Sequence, residues 1–361
     1  MSLVDEDTPT ATPKPPIRKE RTGFAKFAAD YAESPTAVIA LISCVLLLLA
    51  AILAPYVTPQ DPYDLANLDL MDSRLEPGEV GMTGMVHWLG TDGQGRDLFS
   101  AIIYGLRISL GVGVVAGVVA LTVGTIVGLT AAFFGGRVDT IIMRLVEFQL
   151  AFPAILIALI MLAVLGQGVD KIIIALVAVQ WAYFARTVRS AALVERRREY
   201  IDAARCLGLS RSRIMFGHLM PNCIAPLIVV ATVQVANAIA LEATLSFLGL
   251  GMPVTQPSLG LLIANGFEYV LSGRYWISTY PGIALLITIV SITLVGDRIR
   301  AVLHPRLDTC AASPPLPSRS PTCAPISSPR QVSSKRWTMS AFASHPEKSW
   351  ALLGKAVRAR P

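Results

Sequence analysis

The chain has 361 residues, of which 53% are hydrophobic and only 16% charged, with a mean hydropathy of +0.57. Soluble domains carry about 25% charged residues, so this composition excludes an ordinary soluble protein. The formal charge of +6 gathers in polar loops and tails, which reads as membrane topology rather than nucleic-acid binding.

Five cysteines are present, at 44, 206, 223, 310 and 323. None has CxxC spacing or a His cluster beside it, so neither a zinc site nor a disulfide framework is expected. Cys44 and Cys206 read as small packing residues. No cofactor and no metal are called for.

Residues 1–34 are polar, with prolines at 15 and 16 and several cations. A disordered cytosolic tail is expected. A cleaved signal peptide fits poorly, because the next apolar run is too long and lacks a small-residue cleavage site. That run, Ala37–Val57, is uncharged and of membrane-spanning length. Residues 60–107 should lie on the far side of the membrane, within a first unit of 35–103. The stretch from His87 to Ser100 reads HWLGTDGQGRDLFS. It lacks GxxxxGK[ST] and any βαβ context, so it is not a phosphate loop but a Gly-rich turn that starts a helix.

The core, residues 104–300, holds five further spans. The second, Ile108–Gly136, carries Gly113, Gly117, Gly124 and Gly128 as two GxxxG units on one helix face, a packing device in lipid. Arg137, Asp139 and Arg144 mark the following cytosolic turn. The third span, Ile141–Leu165, should kink at Pro153. The fourth, Ile172–Val188, brings Arg186 and Arg189 to the inner interface, where both can snorkel. The fifth is Ile224–Leu248, and the sixth Ile277–Val295. Gly249–Trp276 reads as a polar outer segment. Six spans put both termini on one side, and the basic loops place that side in the cytosol. Spans of this length are helices, not barrel strands. The expected fold is therefore all-α, a polytopic bundle in the lipid bilayer.

Two acids lie in or near spans. Arg144, one turn before Glu147, can pair with it. Glu242 has no cation near it on its own helix; it faces either the translocation pathway, a partner chain or hydrogen-bond donors within the bundle.

The longest polar interruption in the second half is Glu199–Asn222, EYIDAARCLGLSRSRIMFGHLMPN. Ile201, Ala204 and Leu207 fall at helical spacing and predict one apolar face. Arg198, Asp202 and Arg205 can pair on the other. Gly208 should end this helix in a left-handed conformation, Ser210 should cap a second short helix, and Pro221 should end it.

This stretch resembles the EAA loop of ABC importer permeases. Glu199, Ala203, Ala204, Gly208, Ile214 and Pro221 match the motif that forms the family's coupling helices, placed here at 196–221. Tyr200, His218 and Asn222 make the variant most similar to the C-type permease of dipeptide and oligopeptide importers, and Arg96 and Asp97 match a segment before that family's core spans. The resemblance covers about residues 35–307. It implies a type I importer permease fold in the bacterial inner membrane. The implied partners are a homologous second permease subunit, two ABC ATPase subunits and a periplasmic solute-binding protein, with alternating access as the mechanism. No Walker A motif is present, so energy must come from a partner and the chain is not expected to be an enzyme. Nickel, glutathione or another small solute remain open as cargo. From a different class, an ion-gradient-driven secondary transporter would need midplane ionisable groups and paired broken helices, and only Glu242 answers to that. From His304 onward the composition turns Pro- and Ser-rich. Residues 308–361 have no counterpart in the family, are expected to be disordered, and have an out-of-frame read-through as one origin.

Overall fold

A computed structural model describes residues 24–303 of the chain, apart from 64–67, 69, 83, 254 and 257. The tail 308–361, most of the N-terminal tail, Cys310 and Cys323 lie outside the described residues. In chain order the helices are α1 (Phe24–Ala32), α2 (Pro35–Ile52), α3 (Ala54–Val57), α4 (Leu98–Phe134), α5 (Gly136–Leu150), α6 (Ala154–Leu165) and α7 (Val169–Glu195). There follow α8 (Glu199–Cys206), α9 (Arg211–Arg213), α10 (Met220–Asn222), α11 (Ile224–Phe247), α12 (Leu259–Phe267) and α13 (Trp276–Leu303). The described residues contain no strand, only the isolated bridges Val80–Val86 and Thr91–Asp97.

Among the described residues five helices are long and apolar enough to cross a membrane: α2, α4, α7, α11 and α13. The pair α5 and α6 qualifies together but is bent by 90°. Counted as one span it brings the total to six, yet the bend at Pro153 is a break rather than the expected kink. Pro153 takes ψ 125°, which no continuous helix permits.

Several boundaries differ from those expected. The last part of the expected N-terminal tail is helical, as α1, and Tyr31 is buried there. α4 begins at Leu98, ten residues before the expected span. Its 37 residues extend for about 55 Å at 1.5 Å per residue, well past a hydrocarbon core of about 30 Å. Asp97 sets this start: its carboxylate accepts from the backbone N–H of Ser100 at 2.8 Å and from the hydroxyl of the same residue at 2.7 Å, as an N-cap does. α7 runs past both expected interface arginines to Glu195. Arg189 does not snorkel freely: its Nε and Nη2 donate to the two carboxylate oxygens of Asp139 on α5, at 2.5 and 2.6 Å. The outer segment after α11 is not loop throughout, since α12 buries Leu259, Leu261 and Leu262 there.

The GxxxG glycines serve two different neighbours. A Cβ on Gly113 would meet Ile239 at 2.6 Å and one on Gly117 would meet Val235 at 3.0 Å, both on α11. One on Gly124 would meet Phe184 and the Trp181 carbonyl at 2.5 Å on α7, and Gly128 lies against Ala185 of the same helix. α4 is thus a central post, with its first two glycines against α11 and its last two against α7. Close backbone approach of this kind replaces the hydrophobic drive that lipid does not supply.

Candidate functional site

The polar stretch after α7 forms a folded unit of its own. α7 ends at Glu195, and Arg196 at its C-cap donates from Nη1 to the Ala132 carbonyl at 2.7 Å, tying the exit to α4. α8 then lays Ile201 and Ala204, 1% and 4% exposed, onto Val188, Ala192, Ile214, Leu219, Cys223 and Leu227. Leu207, expected on this apolar face, is instead 79% exposed. The reason is helical phase. Leu207 is the C-cap, past the last residue of α8, and it continues the line of Glu199 and Ala203, four apart, which winds away from the side that carries Ile201 and Ala204. The outer line is exposed along its length.

Gly208 follows with φ +71° and nothing within 4 Å of where a Cβ would sit. Its glycine is required by backbone conformation, not by space. Ser210 stands at the N-cap of α9, but its hydroxyl makes no cap bond. The chain next widens into a π-helical turn, Ile214–Leu219, and continues through Pro221 to Asn222. Pro221 therefore does not terminate the helix; it sits exposed just after the π-helical turn, within the continuous helical run 211–222, and the break falls at Cys223.

Polar bonds close the unit. The Tyr200 hydroxyl donates to Glu195 Oε2 at 2.9 Å and accepts from Asn222 Nδ2 at 3.0 Å. Asn222 Nδ2 also donates to the His218 carbonyl at 2.7 Å, and His218 Nδ1 meets the Arg213 carbonyl at 3.2 Å, which makes that nitrogen the donor. Burial first, and the Glu195 carboxylate second, hold the Tyr200 phenol above its ordinary pKa. Arg205 pairs with Asp202 at 3.0 Å, while Arg198 turns back to Glu195 at 3.4 Å rather than to Asp202. Glu195 precedes the motif, and nothing in its sequence position singled it out. Cys206 is exposed, so it is not a packing residue within this chain; Cys223 is buried, and burial pushes its thiol up to about 11.

Of the six residues that match the motif, Glu199, Ala203 and Pro221 lie on the surface, Ala204 and Ile214 are buried, and Gly208 makes the turn. The unit can offer a partner a short helix with one small residue at its centre and arginines around it. Among the described residues no three His, Cys, Asp or Glu side chains converge as metal ligands.

Glu242 stands apart from this unit, on α11. Its side chain has no exposed surface. Ser246 donates to Oε1 at 2.8 Å and Ser109 of α4 to Oε2 at 2.9 Å, and Ser258 supplies a third hydroxyl. The segment carrying Ser258 lies against α11 closely enough that a Cβ on Gly260 would meet the Ala243 Cα at 2.6 Å. Glu147, by contrast, pairs with Arg144 at 3.3 Å on the surface.

Comparison with known proteins identifies the family. The family described as binding-protein-dependent transport system inner membrane component matches residues 124–309. The N-terminal TM domain of oligopeptide transport permease C matches residues 27–77. The dipeptide transport system permease protein DppC of Escherichia coli (strain K12) is 38% identical over 308 residues, 85% of this chain and 99% of that one. The di/tripeptide transport system permease protein DppC of Pseudomonas aeruginosa (strain UCBPP-PA14) is 36% identical over 287 residues, 79% and 93% of the two chains. Among solved structures, an inward-facing MetNI methionine ABC transporter chain is similar at 20% identity and a TM-score of 0.47, over 57% of this chain and 97% of that one. The chain belongs to the family of binding-protein-dependent transport system inner membrane components and is an ABC importer permease, a transport subunit and not an enzyme.

Proposed function

We propose that this chain is the C-type permease of a pair that carries di- and oligopeptides across the bacterial inner membrane, with both termini in the cytosol. The names of its relatives support the peptide class. The observation that carries the reading is the exposed line Glu199, Ala203 and Leu207 on a helix whose opposite side is locked to the bundle through Ile201 and Ala204. Such a helix transmits a push: an ATPase subunit docked on the outer line moves α7 and α11 with it. Helix-in-groove contacts of this kind use small residues where backbones must approach. Two ATPase subunits, a second permease and a periplasmic binding protein complete the machine. ATP closes the ATPase dimer, the spans open outward to receive peptide, and hydrolysis resets them. Switching a two-state equilibrium from 1:99 to 99:1 takes about 5.5 kcal/mol of differential binding, and that energy crosses residues 196–221.

The test is reconstitution. Permease pair, ATPases and binding protein in proteoliposomes are expected to accumulate radiolabelled dipeptide in an ATP-dependent manner. The purified chain alone is expected neither to bind nor to hydrolyse ATP. Accumulation of Ni²⁺ or glutathione in place of peptide would reassign the cargo, and ATP hydrolysis by the lone chain would overturn the division of labour.

A further inference from the structure

A groove of about 280 Å³ opens between the apolar helices α6, α7 and α11. Its polar lining is Gln180 and Tyr183 from α7 and Gln234, Asn237 and Thr244 from α11. None of the described residues that line it is acidic or basic. Glu242, on the same helix, is fully buried and bonded to serines.

The amides are arranged in a chain. Gln180 Nε2 donates to the backbone carbonyl of Gln234 at 3.0 Å, and Asn237 Nδ2 lies 3.0 Å from Gln234 Oε1. A carbonyl can only accept, so the first bond fixes which way the Gln180 amide points. Its Oε1 is left without a partner although the residue is only 2% exposed. Buried acceptors are nearly always satisfied. Oε1 itself is closed to solvent, but its residue lines the groove, so a small turn of the amide would let a donor that enters the groove from outside the chain satisfy it.

Three occupants are possible on position alone, and chemistry separates them. Lipid chains carry no donor. A helix of the second permease has its backbone N–H groups bonded internally and offers donors only where a polar side chain falls against the groove. An extended peptide, in contrast, arrives with its backbone N–H and C=O groups unpaired. Neutral amides and hydroxyls match those groups and are indifferent to the charge of the side chains between them. We propose that this groove is a wall of the translocation pathway, in which Gln180, Gln234 and Asn237 bind the backbone of an extended peptide independently of its sequence. The inference rests on the peptide-importer reading above.

It is tested in the complete reconstituted importer. With p-benzoylphenylalanine in place of Tyr183, illumination during turnover is expected to attach radiolabelled peptide to this chain, and excess unlabelled peptide is expected to suppress the label. Gln180→Leu should raise the peptide concentration for half-maximal uptake by about 2–10-fold, the range for one neutral hydrogen bond, with ATPase association unchanged. The same variant should reduce the penalty for a peptide N-methylated at a backbone amide, provided the binding protein takes both peptides equally. Exclusive cross-linking to the second permease or to lipid, or a label that unlabelled peptide does not suppress, would overturn the inference while leaving peptide transport intact. Absence of any peptide uptake by the unmodified importer would instead overturn the peptide reading itself.

Discussion

Tyr200 and Asn222 lie 22 positions apart and meet through a 3.0 Å hydrogen bond that joins the first helix of the coupling unit to its last turn. Through the same hydroxyl the contact reaches Glu195, at the end of a membrane span. Each such bond contributes about 0.5–1.5 kcal/mol, at the low end here because Tyr200 is 38% exposed. The clamp should therefore set the rigidity of the unit rather than whether it folds. Tyr200→Phe removes both bonds of the hydroxyl, and Asn222→Ala removes one of those together with the bond to the His218 carbonyl. Both variants should insert normally and show faster hydrogen exchange across residues 199–222. Exchange rates equal to those of the unmodified chain would mean that the apolar contacts of Ile201 and Ala204 hold the unit alone.

Glu242 gives a second prediction. Three serine hydroxyls converge on it between α4, α11 and the segment before α12. Glu242→Leu strands those donors in a water-poor interior, at about 1–3 kcal/mol for each one left unbonded. Glu242→Gln keeps one carbonyl oxygen and should fall between. Glu147→Gln should change little, because its pair with Arg144 is largely exposed and exposed pairs contribute about 0.2–1 kcal/mol. Thermal unfolding of the detergent-purified permease orders the three. A Glu242→Leu variant as stable as the unmodified chain, yet inactive in uptake, would place this carboxylate in the transport pathway instead.

Much of the architecture was legible because a membrane span is a long one-dimensional signal: hydropathy alone located the five long apolar helices, and small residues marked α4 as the helix that others approach. What sequence could not supply was phase and partner. Ala203 and Ala204 are adjacent and identical, yet one faces solvent and the other the core, and the apolar Leu207 beside them is exposed. An exposed apolar side chain breaks the rule that apolar spacing marks the buried face. The groove amides were invisible for a related reason. Gln180, Gln234 and Asn237 are scattered singly through apolar runs, and only the packing of α7 on α11 brings them together. α12 was masked by its setting, a short apolar helix inside a segment bounded by Pro and Gly.

The cysteines can be separated by reactivity. The thiolate is the reacting species. Cys223 is buried, with its thiol pushed up to about 11, so at pH 8 only about one in a thousand is ionised. Cys206 is exposed on α8. In a background with serine at 44, 310 and 323, maleimide at pH 8 should modify Cys206 quickly and Cys223 only after denaturation. Raising the pH toward 11 should speed labelling of Cys223, as its thiolate fraction rises, if the fold persists. Rapid labelling of Cys223 at pH 8 would show that the unit opens in solution.

The two alanines then provide the sharpest test of coupling. A tryptophan at 203 projects toward solvent from the exposed line between Glu199 and Leu207. It should leave membrane level and protease resistance unchanged. The same residue at 204 would have to enter the space held by Ile214, Leu219 and Leu227, and over-packing of that kind costs about 1–3 kcal/mol. Ala204→Trp should thus lower the level of folded permease, so loss of transport there says nothing about docking. Gly208→Val adds a strain of about 1–2 kcal/mol from a β-branched residue at positive φ, while Gly208→Asn should be tolerated, because Asn enters that region readily. Co-purification of the ATPase subunits with tagged permease, beside membrane level and peptide uptake, distinguishes the cases. Ala203→Trp is expected to keep its level and lose both the ATPases and uptake. If it retains both, the exposed line is not the docking face, and energy enters the permease elsewhere.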